Sequence, residues 1–166
     1  MVRIRGIINQ FNKFKSELKS GLDEIGVAIS DVRIQGSSLR TPNANDVDLA
    51  AIISETDFDK FLVNRFSNRI TKNGVKIDLT GKTSSELRSI ANDYVTNPTA
   101  YTNQGKSFSK AMLERKVSAY SNDNIVPGAR ELYNKMKNGY PNLNIDNITI
   151  QTKGGSFDLK PYMKLQ

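Results

Sequence analysis

The sequence predicts an α/β or α+β fold in which helices flank a mixed and mostly buried β-sheet. An amphipathic pattern fills the first 25 residues, a near-continuous apolar run covers residues 47–53, and further helical patterns alternate with short β-branched runs. No linker interrupts the 166 residues, an ordinary length for one domain. We therefore expect a single domain over residues 1–166.

The first predicted elements are a helix and two strands. The helix ends near Gly26, and lysines occupy much of its polar face. Residues 27–35 are rich in β-branched side chains and predict a strand that leads into a Gly-Ser turn. After a polar loop at residues 41–45, residues 47–53 predict a central strand that is buried on both faces. The apolar residues of the helix are Ile4, Ile7, Ile8, Phe11, Phe14, Leu18, Leu22 and Ile25.

Four more helices and one short strand are predicted between residues 54 and 141. Each helix has apolar residues at helical spacing, and Gly, Asn or Pro marks most of the helix ends. In chain order, the segments are a helix capped by Ser54 or Thr56 that ends at Asn73-Gly74, a strand at residues 75–79, a helix through residues 87–94 that stops before Pro98, a helix at residues 108–117, and a helix from Pro127 to residues 139–141.

The C-terminal residues predict a β-hairpin. Residues 145–151 and 156–163 resemble strands, and the Lys153-Gly154-Gly155 segment between them is typical of a turn. Asp158 would lie on the returning strand.

The composition excludes several kinds of chemistry. Because the chain has no Cys and no His, it cannot use thiol catalysis, disulfides, an ordinary zinc site or a His general base. Its formal net charge of +7 favours an anionic partner such as nucleic acid or a nucleotide. No run approaches the roughly 18 apolar residues of a membrane span, and the N-terminal residues lack a continuous apolar segment. We expect neither a membrane partner nor a signal peptide.

Two carboxylates follow the Gly-Ser turn. Asp46 and Asp48 are two residues apart, so on a strand they project from the same face with Cα atoms about 7 Å apart. Such carboxylates repel each other unless a cation lies between them, and Mg²⁺ commonly takes carboxylate oxygens. The backbone N–H groups of Gly36-Ser37-Ser38 could meet a phosphate. The pattern indicates a metal and nucleotide site, and the alternative is an ordinary turn followed by two solvated aspartates.

These motifs resemble those of the DNA polymerase beta-like nucleotidyltransferase superfamily. Gly36-Ser37-Ser38 is similar to its turn after the first strand, and Asp46-Val47-Asp48-Leu49 is similar to its paired-aspartate strand. Phe157-Asp158-Leu159-Lys160-Pro161 resembles the third-carboxylate element of the branch with oligoadenylate synthases, poly(A) polymerases and bacterial cyclic-oligonucleotide synthases. The resemblance runs from about residue 27 to the C-terminus and implies a minimal polymerase beta-like core.

The resemblance implies transfer of a nucleoside monophosphate from an NTP to a hydroxyl acceptor. Two Mg²⁺ or Mn²⁺ ions would serve as cofactors. Asp46, Asp48 and Asp158 would be the catalytic, metal-binding carboxylates. Asp78, in a second short strand, is the alternative third ligand.

The nucleotide would be bound by Gly36-Ser37-Ser38, Arg40 and Lys110. The basic charge favours RNA as the acceptor, for example a tRNA 3′ end. A small basic core would also suit a bacterial toxin domain that is delivered as part of a larger secreted protein and acts in the cytoplasm. Such a domain would have an immunity or antitoxin protein as a partner.

Two other functions fit the same residues. A non-catalytic basic nucleic-acid-binding domain would bind in a salt-sensitive way that does not depend on Asp46. A metal-dependent nuclease could use the same aspartates and would shorten RNA. Lys110, Arg115 and Lys116 fit either phosphate binding or a solvated helix face, and Tyr120 fits either base stacking or packing.

Overall fold

The computed structural model describes residues 2–35, 47–153 and 162–164. In this part of the chain the fold is α+β, as predicted, with helices flanking a mixed sheet. The helices are α1 (Val2–Glu24), α2 (Glu55–Phe66), α3 (Ser84–Thr96), α4 (Asn103–Glu114) and α5 (Ala129–Gly139). The strands are β1 (Asp31–Gln35), β2 (Val47–Ile53), β3 (Thr71–Lys72), β4 (Val75–Lys76), β5 (Lys116–Ser118), β6 (Ile145–Thr152) and β7 (Tyr162–Lys164).

The main sheet has the strand order β5-β6-β2-β1-β7. β2 is the middle strand, antiparallel to β1 and parallel to β6. Six of its seven residues are buried, which confirms the predicted central strand. One face of the sheet carries apolar pairs such as Leu49 beside Ile148 and Ala51 beside Ile150, and these residues belong to the hydrophobic core.

Two helix pairs enclose that core. α1 packs against α5, where the ring of Phe14 meets Tyr140 edge-on at a centroid distance of 5.2 Å. Gly21 permits this close approach, because a Cβ atom there would lie 2.3 Å from Cδ1 of Leu132. α2 packs against α4 through rings whose centroids are 5.8 Å apart. Among the α1 side chains that the structure describes, Phe14, Leu18 and Leu22 are the buried apolar ones, on the face that the sequence predicts.

The predicted C-terminal hairpin is wrong in the part of it that the structure describes. β6 forms as expected, but its two neighbours are β2 and β5. β7 lies at the opposite side of the sheet, where it pairs antiparallel with β1. Tyr162 and Met163, the described part of the predicted returning strand, therefore pair with β1 and not with β6. Asp158 lies outside the described residues.

The predicted end of α2 is also wrong. The helix is capped by Ser54 as expected, but it ends at Phe66. Asn73 and Gly74 have φ angles of 50° and 80° and form the two-residue turn between β3 and β4. The strand predicted at residues 75–79 is accordingly reduced to Val75–Lys76.

The end of α4 and the start of α5 also differ from the predicted boundaries, again because of residues with positive φ. α4 ends at Glu114 because Arg115 has a left-handed φ of 56°, and Val117 lies on β5 and not in the helix. α5 begins at Ala129, after Gly128 with a φ of 87°, so Pro127 precedes the helix. Residues with positive φ therefore set boundaries that apolar spacing alone misplaces.

A charged cluster ties the β3–β4 hairpin to α3. Lys72 Nζ lies 2.6 Å from Asp93 Oδ2, and the hydroxyl of Tyr101 donates to the same carboxylate. Mainly through the hydrogen bond from Lys72, the cluster lowers the pKa of Asp93 from 3.8 to about 2. Burial, followed by the hydrogen bond to Asp93, raises the pKa of Tyr101 from 10.0 to about 12.

We expect this cluster to stabilise the protein within a defined pH window. The Asp93 contribution is present above pH 3.8 and is lost as the pH falls towards 2, since the unfolded state binds the proton first. The Tyr101 contribution is present below pH 10 and is lost as the pH rises towards 12. Thermal unfolding of wild type and Asp93→Asn from pH 7 to 2 should show a melting-temperature difference that shrinks below pH 3.8. A difference that stays constant over this range would contradict the assignment.

Within the described ranges, no helix is both long and apolar enough to cross a membrane.

Candidate functional site

The structure describes three of the predicted site residues, namely Asp48, Asp78 and Lys110. The others lie outside the described residues, so their places in the site stay predictions. These are Gly36, Ser37, Ser38, Arg40, Asp46 and Asp158.

Asp48 lies near the start of the central strand. It is the one partly exposed residue of β2, whose other six residues are buried. Its neighbours across the sheet are Gln35 on β1 and Asn147 on β6. Paired residues on adjacent strands project from the same face, so Asp48 and Asn147 lie side by side. A carboxylate is therefore presented at one end of an otherwise buried part of the sheet.

A β-bulge adjoins this carboxylate. Val47 pairs with Ile145 and Asp48 pairs with Asn147, which leaves Asp146 as an extra residue on β6. The carbonyl of Asp146 accepts a hydrogen bond of 2.8 Å from the hydroxyl of Tyr133 on α5. The bulge is thus fastened to a helix, and it sets the register that brings Asn147 beside Asp48.

A groove of about 370 Å³ adjoins Asn147. Its walls come from α4, β5 and residues 120–125. Ser118 Oγ on β5 donates to Asn147 Oδ1 at 2.9 Å, which connects the groove to the β6 residue beside Asp48. Lys110, predicted to bind nucleotide, lies on the α4 wall and is exposed. The charged residues that line the groove are Lys110, Lys116, Glu114 and Asp123.

The groove wall at residues 120–125 is held by several hydrogen bonds. Ser107 Oγ on α4 donates to Asp123 Oδ1 at 3.1 Å, and Arg65 Nε on α2 donates to the Asp123 carbonyl at 2.6 Å. Tyr120, on the same wall, is 49% exposed. The wall therefore presents a half-exposed aromatic ring next to two lysines.

A buried polar stripe continues along the face that carries Asp48. Arg33 and Thr149 flank Ala50, and Gln151 lies beside Ile52. Thr149 Oγ1 donates to Gln151 Oε1 at 3.0 Å, and Arg33 Nε lies 3.2 Å from Asp31 Oδ2. Among the described residues Gln151 Nε2 has no hydrogen-bond partner.

Sequence reasoning missed this stripe and Asn147. Asp31, Arg33 and Gln35 alternate with apolar residues in β1, and Asn147, Thr149 and Gln151 do so in β6. A period of two indicates one polar face of a sheet. The signal was present, but the pairing of β6 with β2 was needed to place both series beside Asp48.

Asp78 lies in the turn that follows β4. It is exposed, and its Oδ1 accepts hydrogen bonds from Ser67 Oγ at 3.0 Å and from the Thr80 N–H at 2.9 Å. These bonds, led by the backbone bond from Thr80, lower the pKa of the Asp78 carboxyl. Asp78 thus stabilises a turn, and its role as a third ligand stays an alternative prediction. In the described ranges no three acidic side chains are grouped as a metal site.

Arg115 has a different place from Lys110 and Lys116. Its side chain is 5% exposed and pairs with Glu55 and, at 2.7 Å, with Asp59 Oδ1. The guanidinium also lies 4.7 Å from the ring centroid of Phe58. Arg115 therefore joins the first turn of α2 to the end of α4. Its side chain is neither part of a solvated helix face nor free to bind phosphate.

Comparisons with known proteins found no match for this chain among protein-family models, curated proteins or solved structures.

Proposed function

We propose that this protein is a metal-dependent nucleotidyltransferase that moves a nucleoside monophosphate from an NTP to a hydroxyl group of RNA. The observation that carries the proposal is the position of Asp48. It is a partly exposed carboxylate at the start of a buried central strand, one strand away from a groove that contains two lysines. The Gly36-Ser37-Ser38 and Asp46-Val47-Asp48 motifs supply the type of chemistry.

The residues around this position fit Mg²⁺ or Mn²⁺. Asp48 offers carboxylate oxygens, and Asn147 beside it offers an amide group. Hard divalent cations prefer oxygen ligands, while the thiolate and imidazole ligands of most zinc sites are absent because the chain has neither Cys nor His. Asp48 would hold the metal together with Asp46 and a third carboxylate, Asp158 or Asp78.

In this proposal the protein mainly binds and orients the reactants. A bound metal pair would supply charge neutralisation at the transferring phosphoryl group and activation of the acceptor hydroxyl. Gly36-Ser37-Ser38 would donate backbone N–H groups to phosphate oxygens. Lys110 would contact a phosphate of the RNA acceptor from the α4 wall of the groove. The carboxylates would accept a hydrogen bond from the acceptor hydroxyl and so orient it.

The test is an incubation of the protein with Mg²⁺ or Mn²⁺, each α-labelled NTP in turn, and total RNA. We expect label on RNA and none when the metal is chelated. Separation of the products by size distinguishes RNA from labelled protein and from small cyclic nucleotides. Label on protein would change the acceptor class while keeping the transfer chemistry.

The alternative functions give different results in the same experiment. A nuclease would shorten RNA without incorporating label. A non-catalytic RNA-binding domain would incorporate no label, and its RNA binding would weaken with salt but not with Asp48→Asn. Either result would overturn the proposal.

A further inference from the structure

Tyr120 gives the groove one aromatic wall. Its ring lies 5.6 Å from that of Tyr133 at an interplanar angle of 41°, and the Tyr133 hydroxyl is anchored to the Asp146 carbonyl. Lys137 Nζ lies 5.7 Å from the Tyr133 ring centroid. Tyr120 is therefore braced by a fixed neighbour while 49% of it remains exposed. An exposed ring held in this way is suited to stack a base, whatever the base identity.

The charged residues of the groove favour one of two nucleotide ligands, a free NTP or a nucleotide within an RNA strand. Lys110 and Lys116 are balanced by Glu114 and Asp123 on the same walls. A triphosphate carries several negative charges and would meet both carboxylates. One phosphodiester carries a single charge, which one lysine can neutralise. The charges therefore favour a nucleotide within a strand over a free NTP.

The polar groups and the volume of the groove also fit a single nucleotide of an RNA strand. Ser107, Ser118 and Asn147 line the groove; the two hydroxyls already donate to Asp123 and Asn147, so their oxygens can accept and the Asn147 amide can donate to ribose hydroxyls. Its volume of about 370 Å³ falls at the lower end of the range of small-ligand sites. That space fits one nucleotide, and a base-paired duplex is far wider.

The groove is also placed correctly for an acceptor. Asn147 belongs to its lining and is the direct neighbour of Asp48 on the adjacent strand. Adjacent strands are about 4.8 Å apart. A ribose next to Asn147 would thus have its hydroxyls close to the carboxylate of the proposed reaction centre.

We propose that this groove binds the terminal nucleotide of a single-stranded RNA acceptor, with its base on Tyr120 and its phosphodiester at Lys110 or Lys116. The inference rests on the proposed function for the reaction that follows, but the binding itself can be measured without any transfer. It assigns the NTP to a different part of the site.

The experiment measures the affinity of the full chain for a 5′-labelled, ten-nucleotide single-stranded RNA by fluorescence anisotropy. We expect Tyr120→Leu to weaken binding about tenfold, since the stacking surface is lost, and Tyr120→Phe to bind like wild type. Lys110→Met should weaken binding and reduce the slope of log affinity against log salt by about 1. Lys13→Met, an exposed lysine on α1, is the matched control and should change the affinity by less than twofold.

Steady-state kinetics then separate this inference from the proposed function. Tyr120→Leu should raise the KM for RNA and leave the KM for NTP unchanged. Unchanged RNA affinity in Tyr120→Leu, or a raised KM for NTP alone, would overturn the groove assignment even if transfer is observed. If wild type transfers no nucleotide but Tyr120→Leu binds RNA more weakly than wild type, the result would support the groove assignment and overturn the enzymatic function. Unfolding temperatures within about 2 °C of wild type would show that the variants are folded.

Discussion

Asp48→Asn is expected to lower nucleotidyl transfer by about a thousandfold or more while leaving the fold intact. The substitution keeps the side-chain shape but removes the charge that would hold a divalent cation. Loss of several kcal/mol of transition-state charge stabilisation corresponds to a rate loss of that size. Because Asp48 is at the partly exposed end of β2, the neutral side chain should be accommodated without a cavity. The measurements are the initial rate of label incorporation and the unfolding temperature.

A second readout does not depend on activity. Mn²⁺ binding, followed by its electron paramagnetic resonance signal, should be at least tenfold weaker in Asp48→Asn than in wild type. Asp23→Asn, an exposed aspartate on α1, makes the same chemical change away from the sheet and should match wild type in both assays. A variant Asp48→Asn with normal Mn²⁺ affinity and normal label incorporation would refute the metal-binding role.

The same assays decide between the two candidates for the third ligand. If Asp158 completes the site, Asp158→Asn should behave like Asp48→Asn. Asp78→Asn should then leave Mn²⁺ affinity unchanged and lower the unfolding temperature slightly, since the carboxylate accepts hydrogen bonds from Ser67 and Thr80. The reverse pattern would assign the role to Asp78.

The elements that the sequence predicts well are those with a strong local pattern. α1 follows from apolar residues at helical spacing, and Phe14 and Leu18 are buried as this spacing requires. The central strand β2 follows from the apolar run at residues 49–53, which is typical of a strand covered on both faces. In both cases the signal lies within the element itself.

The C-terminal hairpin shows where local signals fail. Two strand-like runs around Lys153-Gly154-Gly155 match a hairpin, but β6 takes β2 as one neighbour and β5 as the other. β5 has only three residues, too few to show a period of two, and apolar spacing places Val117 in the preceding helix. Strand order depends on pairing between distant segments, which the sequence near a turn does not encode.

The sequence predicts the strand on which Asp48 lies, and the site role of Asp48 stays a prediction, while the residues around Asp48 were not predicted. The spacing of Asp46 and Asp48 predicts two carboxylates on one face of a strand, and the structure describes Asp48 as the partly exposed residue of β2. Asn147 is 99 residues away from Asp48 in the chain and becomes its neighbour through the parallel pairing of β2 with β6. Lys110 and Tyr120 share one groove because α4 and residues 120–125 meet around β5. Such proximity follows from topology and not from any motif.

Arg115→Met is expected to destabilise the protein by about 3 kcal/mol. The buried guanidinium pairs with Glu55 and Asp59 and lies over Phe58, so its removal leaves a partly buried Asp59 without its cation. Glu55 is largely exposed and can be solvated, which keeps the expected loss at the lower end of the range for broken buried pairs. For a chain of this size the change corresponds to a fall in unfolding temperature of about 6–12 °C.

Matched variants separate the charge of Arg115 from its backbone conformation. Lys110→Met, on the exposed face of α4, should change stability by no more than about 0.5 kcal/mol. Arg115→Gly should be less destabilising than Arg115→Met by about 1 kcal/mol, since glycine adopts the left-handed φ of 56° without strain. In an Asp59→Asn background the effect of Arg115→Met should be smaller, because the unpaired carboxylate is gone. The contrary outcome is a free energy of unfolding for Arg115→Met within 1 kcal/mol of wild type. In that case the ion pairs do not hold α2 to α4. The position of the α4 wall must then depend on apolar packing such as that of Phe66 against Phe108.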